Sequence, residues 1–358
     1  MKQLIIIQTT TPDYRTGFFK MLRATLNENF KLYRGSRYFE KSIVTDSRIE
    51  GIDIKNHFFL NRKFLFQTGI WHLLFKDVVI VLEMNPRIIS NWIFLFVRRI
   101  SNKKTVLWGH AWPRKGKNSK TDILRNYMRR LASSIVVYTK QQQKELSSYM
   151  PKKTVYAAPN ALIYQKDMYA QKTKNPATNL IYVGRLSKNK KPFFLVESFK
   201  KCLDIIPENV CLLLVGEGEE SIRISNYIKE HGIEKRVLQK GHINDYDTLK
   251  SLYESSIFSV SPGYVGLSIT QSFGFGVPML ISKNEPHSPE IEAAIDGQNA
   301  LFYTTDDDLH FGESIKEIYN NPSYWIDKRS EIAAHCRENY SIETMAATFI
   351  NLVTVYGA

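Results

Sequence analysis

Cysteine is scarce in this 358-residue chain: Cys202, Cys211 and Cys336 are three, odd in number and far apart. That pattern excludes a disulfide framework and a clustered zinc site, and it fits a reducing compartment. Long apolar runs are also missing. A membrane-spanning helix needs about 18 consecutive apolar residues, and the best attempt, Ile93–Val97, stops at Arg98 and Arg99. The opening MKQLIIIQTTTPDYR turns polar too early for a secretory leader. Acidic residues are sparse in one half only. Residues 1–165 hold 29 Lys and Arg against 10 Asp and Glu, a net +19, whereas the remainder holds 20 against 25, a net −5. This step places a domain boundary near residue 165 and gives the first half a field that favours an anionic surface or polyanion. No basic motif interleaved with aromatics accompanies it, so nucleic acid is not expected as a partner.

What is present supports two packed domains. Hydrophobic residues make up 43% and aromatics 12% of the chain, enough for cores at this length. One stretch organises the second half: SVSPGYVGLSITQSFGFGVPMLISKNEPHSPEIE, residues 259–292. Its apolar run ends at Pro262-Gly263, which turns the chain. Leu267, Thr270, Gln271 and Gly274 then recur at helical spacing, and Met279–Ile281 returns as a strand. In such a strand–turn–helix–strand unit the helix start offers unpaired N–H groups to an anion. Any parallel α/β sheet contains similar units, so the stretch alone does not decide function.

Upstream lie NLIYVGRLSKNKKPFFLVESF and NVCLLLVGEGEE, followed by RVLQKG. Gly184, Arg185 and Lys190, the run Leu213–Gly218, Gly241 and the 259–292 stretch occur in one order and spacing. Over residues 179–303 the combination resembles the C-terminal domain of retaining glycosyltransferases of family 4, which have the GT-B fold. The resemblance implies an α/β protein of two Rossmann-like doubly wound domains facing a central cleft. It assigns 174–339 to nucleotide-sugar binding, and 1–165 with the returning helix 340–358 to an acceptor-side domain. It implies that Arg185, Lys190, Gly266 and Leu267 hold the donor diphosphate. Gly216 and Gly218 would leave room near the nucleotide, and Gln271 would meet the ribose. Gly263 and Gln271 stand where the family has two glutamates. Of Glu285, Glu290 and Glu292 downstream, Glu290 is the first choice to approach the sugar.

In the first half, Lys2–Gln8 followed by TTTPDYRTGFFKML reads as strand, loop and helix. Ligands bind at such carboxyl strand ends, which makes Arg15 and Gly17 candidates for acceptor or donor contacts; the alternative is that Asp13 caps the helix and Arg15 is solvated. His110, in GHAWP just past the strand Thr105–Trp108, is the catalytic candidate that the resemblance points to, against the alternative of a structural histidine. The region Asn61–Phe75 reads as a partly packed helix, and Ile88–Ile100 as a helix with Arg98 and Arg99 biasing its end. In PRKGKNSKTDILRNYMRRLASS, Ile123, Tyr127, Met128 and Leu131 mark an apolar face, with Lys120, Arg125, Arg129 and Arg130 off it. Both a membrane-surface helix and an ordinary solvated helix fit that pattern. Tyr164–Pro176 reads as the interdomain connection. Asp245-Tyr246-Asp247 and Asp306–Asp308 read as helix caps, so no metal or other cofactor is expected.

The expectation is a cytoplasmic glycosyltransferase at the inner face of the cell membrane. It would retain anomeric configuration, with a nucleotide-sugar donor and a lipid-linked glycan acceptor in bacterial surface polysaccharide synthesis. The alternatives are a catalytically impaired sugar-nucleotide-binding protein and a sugar-nucleotide epimerase.

Overall fold

The computed structural model describes residues 2–41, 43–113, 116–117, 119–170, 177–243 and 245–357. Three residues of the basic segment (Arg114, Lys115 and Asn118) and residues 171–176 of the expected connection lie outside them. The chain divides into two compact units, Met1–Leu162 with Ile342–Ala358, and Ile163–Ser341.

The first unit begins with β1 (Leu4–Gln8), α1 (Thr16–Leu26), β2 (Phe30–Arg34), β3 (Ile52–Asp53), β4 (Lys55–Phe59) and β5 (Phe64–Thr68). It continues through β6 (Val79–Glu83), α2 (Ile89–Ile100), β7 (Thr105–Trp108), α3 (Lys120–Leu131), β8 (Ser134–Val137), α4 (Lys140–Tyr149) and β9 (Thr154–Ala157). The second unit contains β10 (Asn179–Val183), α5 (Pro192–Lys201), β11 (Leu212–Val215), α6 (Ser221–Glu230), β12 (Val237–Gly241), α7 (Tyr246–Glu254), β13 (Ser256–Ser261) and α8 (Ser268–Gly274). It ends with β14 (Met279–Ser282), β15 (Ala300–Tyr303), α9 (Asp308–Asn320) and α10 (Pro322–Tyr340), after which α11 (Ile342–Gly357) returns to the first unit.

Each unit is built on a parallel sheet, in the order β3-β2-β1-β6-β7-β8-β9 in the first and β12-β11-β10-β13-β14-β15 in the second. Helices cover such sheets on both faces, which is why β1, β7, β8, β11, β13 and β14 are buried along their whole length. The strand order reverses between β1 and β6 in the first sheet and between β10 and β13 in the second. Crevices for ligands open at the carboxyl ends of the strands at such a reversal. In the first unit α11 packs on α1, with Phe349 against Phe18 at 5.1 Å and Trp108 at 4.8 Å between ring centroids.

Four segments differ from the sequence reading. Asn61–Phe75 is not a helix: β5 pairs antiparallel with β4, and only Trp71–Leu73 makes a single 3-10 turn. The hairpin turns through Leu60, Asn61 and Arg62, all with φ between 50° and 60°. Tertiary contacts hold that turn. The Arg62 guanidinium donates to the carbonyls of Tyr38 and Phe39 and lies 3.8 Å from the centre of the Phe58 ring.

Arg98 is not a solvated charge at a helix end. It is fully buried and donates to Thr105 and to the carbonyls of Leu73, Leu74, Lys76, Val78 and Lys104. Helix α3 splits its expected apolar face, burying Met128 but leaving Ile123 and Tyr127 exposed, and it buries Arg129 from the expected polar side. Asp122, Met128 and Arg129 are buried, whereas Ile123, Leu124 and Tyr127 are 59%, 51% and 57% exposed. The Asp122–Arg129 ion pair makes the burial of Arg129 possible, because a buried guanidinium requires a partner. Finally, the described part of the expected connection, Tyr164–Ala170, belongs to the second unit. The Tyr246 hydroxyl donates to the Asp167 carbonyl at 2.6 Å, and Lys250 bonds the Tyr169 hydroxyl.

Candidate functional site

At the reversal in the second sheet, the loop after β10 carries Gly184 to Lys190 and the loop after β13 carries Pro262 to Leu267. Arg185 is exposed, and its carbonyl accepts from the Tyr182 hydroxyl at 2.8 Å. Lys190 ends a 3-10 turn, Lys188–Lys190. Its ammonium donates to the Tyr264 carbonyl at 2.7 Å and lies 3.4 Å from the centre of the Tyr264 ring. Burial lowers its pKa to about 8, Arg185 pushes the same way and Glu290 opposes. A positively charged group held partly dry beside another cation is one that an anion would stabilise.

The Pro262–Leu267 loop is braced from several sides. A Cβ on Gly263 would sit 2.6 Å from the Asn189 carbonyl oxygen and 2.8 Å from Lys190 Cα. The volume a residue-263 side chain would need is therefore backbone, and a glutamate does not fit there. Val265 donates its N–H to His287 Nδ1 at 3.0 Å, and the Val265 carbonyl accepts from Ser288 N–H at 2.9 Å. Helix α8 has only seven residues, so anion attraction here rests on local N–H groups and Lys190 more than on a macrodipole. Gln271 on α8 accepts from the buried Tyr253 hydroxyl at 3.5 Å through Oε1, which leaves its amide nitrogen to donate.

A Cβ at Gly216 would collide with the Gly184 carbonyl, and one at Gly218 with the Leu186 carbonyl. Gly216 also has φ 134°. Both glycines are required by the crossing of the loops after β10 and β11, and any contact they make to a ligand is through backbone.

Among the carboxylates, Glu285 pairs with Lys191 at 2.7 Å. Glu290 is buried in the 3-10 turn Pro289–Ala293, where its charge acts on Lys190. The D-x-D triplet is a cap: the Asp245 carboxylate accepts from Thr248 N–H at 2.8 Å and from its hydroxyl at 2.6 Å. Asp307 does the same for His310 N–H at the start of α9. Among the described residues no group of three or more His, Cys, Asp or Glu is placed to hold a metal ion.

In the first unit, His110 is exposed just past β7, its ring 4.7 Å from that of Tyr138. Its segment is tied to α3 and α4. Arg125 donates to the His110 carbonyl at 2.8 Å, Ala111 N–H to Gln142 Oε1 at 3.0 Å and the Trp112 indole to Glu145 at 2.7 Å. Arg15 is buried rather than solvated, and Asp13 does not cap α1. The Arg15 guanidinium lies 4.3 Å from the centre of the Trp108 ring and donates to Asn160 at 3.3 Å, while its Nη1 has no hydrogen-bond partner among the described residues. Burial opposes its charge, but Tyr138 and Tyr14 outweigh that and raise its pKa. Gly17 lies in the first turn of α1, next to this cluster in sequence.

Sequence reasoning passed over Glu83 and His287. Glu83, at the end of β6, accepts from the N–H and hydroxyl of Thr9; burial pushes its pKa up against those bonds and against Arg15. Its place at the first sheet's reversal, directly after a buried strand, was the available signal.

Comparison with known proteins bears on the second unit first. Residues 165–339 match the family described as Glycosyl transferases group 1. These residues form a glycosyl transferases group 1 domain. A curated relative, the uncharacterized glycosyltransferase MJ1059 of Methanocaldococcus jannaschii, is 27% identical over 216 residues, covering 54% of this chain and 51% of that protein. The chain thus matches about half the length of that relative.

Solved structures extend the likeness to both units. Anabaena Alr3699/HepE in complex with UDP matches with a TM-score of 0.72 at 12% identity, covering 99% of this chain and 100% of that one. The lipopolysaccharide outer core galactosyltransferase WaaB matches with a TM-score of 0.68 at 12% identity, over 99% and 100%. TarM matches with a TM-score of 0.69 at 11% identity, over 100% and 99%. At these identities the likeness shows the fold: two Rossmann-like α/β domains, as in GT-B glycosyltransferases. The Arg185–Lys190 loop and the braced 262–267 loop both fall inside the group 1 domain.

Proposed function

We propose that the protein is a metal-independent, retaining glycosyltransferase that moves a hexosyl group from a nucleotide-sugar donor to a lipid-linked glycan at the inner face of the cell membrane. The context proposed is bacterial surface polysaccharide synthesis. The observation that carries the donor half is Lys190, a partly buried ammonium beside Arg185 at the reversal of the group 1 domain's sheet. Anabaena HepE has been solved with UDP and with UDP-glucose, which supports a nucleotide-sugar as the donor class.

In the proposed reaction the bond from the anomeric carbon to the donor phosphate oxygen breaks, and a bond to the acceptor oxygen forms. The acceptor's hydroxyl proton passes to the departing diphosphate. That diphosphate gains negative charge in the transition state, so fixed donors and cations aimed at it lower the barrier. Arg185 can grip a phosphate with two hydrogen bonds, while Lys190 acts as a point charge. The N–H groups of Gly266 and Leu267 add to the clamp, Gln271 meets the ribose, and Gly216 and Gly218 line the nucleotide with backbone. Glu290 and His110 are the candidates for the reacting sugar, and Arg15 with Gly17 for acceptor or donor contacts. A lipid-linked acceptor fits the basic first unit, which would be drawn to an anionic membrane surface.

The test is incubation with a panel of sugar nucleotides and lipid-linked acceptors across pH 6 to 9.5. Release of nucleoside diphosphate, with product of retained configuration, is expected. Donor affinity should fall as pH rises through about 8, because Lys190 loses its proton there, and Arg185→Ala should weaken it at every pH. Tight binding without turnover would establish the non-catalytic reading, and interconverted sugar nucleotides the epimerase.

A further inference from the structure

We propose that His287 is a positioning residue for Lys190, acting through the 263–266 loop; the inference rests on the donor-site reading above. Three linked bonds carry it. His287 Nε2 is 2.9 Å from the Ser282 carbonyl at the end of β14. A carbonyl only accepts, so Nε2 bears the hydrogen, and Nδ1 is then the bare nitrogen that receives the Val265 N–H at 3.0 Å. This fixes one neutral tautomer. The preceding residue, Tyr264, supplies the carbonyl and ring that hold the Lys190 ammonium. The imidazole therefore ties the end of β14 to the peptide that seats the cation.

Among the described residues His287 Nδ1 is the acceptor of the Val265 N–H, and the Ser261 hydroxyl braces the loop at a different point, the Gly263 carbonyl. The Ser288 N–H holds the Val265 carbonyl but leaves its amide without an acceptor if the ring is lost. Gly263 lies too close to Asn189 and Lys190 for a side chain to brace the loop from that side. The charged groups that act on Lys190 are Arg185 on its own loop and Glu290 from the 3-10 turn beyond His287. Glu285 is engaged with Lys191, and the imidazole is kept neutral chiefly by burial. Loss of the ring frees Tyr264, lets water reach Lys190 and returns its pKa toward the ordinary lysine value near 10.4.

The experiment measures UDP, GDP and ADP affinity calorimetrically at pH 7 and 9.5 for the full chain, His287→Ala and His287→Asn. Wild-type affinity for the preferred nucleotide should drop about tenfold or more between the two pH values, following Lys190 deprotonation. In His287→Ala the affinity at pH 7 should fall about tenfold, and its further loss at pH 9.5 should shrink to less than about threefold. Asn places an oxygen near the position of Nδ1, so His287→Asn should recover most of the wild-type affinity and pH profile. A merely structural histidine would lower thermal stability without changing the pH profile. A wild-type profile in His287→Ala overturns the inference while leaving the donor site standing, as does a His287→Asn variant as weak as the alanine. Absence of nucleotide binding by the wild-type protein overturns both.

Discussion

Gly263 shows how a single residue changes what a resemblance implies. By the resemblance it stands where the family has a glutamate. The structure fills that volume with the backbone of Asn189 and Lys190, so a side chain at 263 has no room unless the loop shifts. Gly263→Glu should therefore push the Lys190 loop outward, lowering stability by about 1–3 kcal/mol as overpacking does and weakening nucleoside diphosphate binding. Thermal denaturation and calorimetry on the variant check this, and unchanged stability with improved turnover would show that the site accepts the carboxylate. The same residue-level logic separates Gln271 from the glutamate it replaces. Its oxygen is engaged by Tyr253, a hydroxyl that also suits a neutral amide.

At the scale of elements, α3 carries the clearest consequence. Its exposed Ile123, Leu124 and Tyr127 lie on a unit rich in Lys and Arg, and Ile93, Phe96 and Ile100 of α2, which packs beside α3, are also exposed. Apolar side chains flanked by cations suit a surface that is itself apolar below an anionic layer. The double change Ile123→Ser with Leu124→Ser leaves the Asp122–Arg129 pair in place. It should reduce sedimentation with phosphatidylglycerol vesicles about tenfold while leaving donor hydrolysis in solution unchanged. Wild-type binding should fall steeply with salt, since the attraction is screened over about 10 Å at 0.1 M. Equal binding to neutral and anionic vesicles, or no effect of the double change, would contradict this role. The β4–β5 hairpin is the complementary case. Its Phe and Leu residues fit a helix as well as a strand by spacing, and the turn has no glycine to announce it.

For the whole molecule, the division of charge and of candidate residues leads to one functional separation. Every proposed diphosphate contact lies in Ile163–Ser341, and His110 lies in the other unit. Removing the imidazole should depress turnover on the order of a hundredfold, the scale of a lost general acid–base or polar contact at a reacting centre. Nucleoside diphosphate affinity should change less than about threefold. Steady-state kinetics of His110→Ala alongside calorimetry decide this, and full activity would return His110 to a structural role against Tyr138.

The sequence by itself determined the class of architecture. Short apolar runs such as Leu4–Ile7 and Leu212–Val215, bounded by turn residues and alternating with helical segments, read as interior strands of a parallel sheet, and the order of Gly184, Arg185, Lys190 and the 259–292 stretch marked the domain that matches group 1 glycosyltransferases. Local pattern sufficed there because strand period, turn residues and helix caps are properties of adjacent residues. The tertiary structure decided which polar groups are inside. Arg98 and Arg129 read as solvated cations until the carbonyls and carboxylate that receive them, from segments distant in sequence, are in place. His287 likewise has no signature of its own, because its meaning lies in the two peptide groups, Val265 and Ser282, that folding brings to either side of the ring.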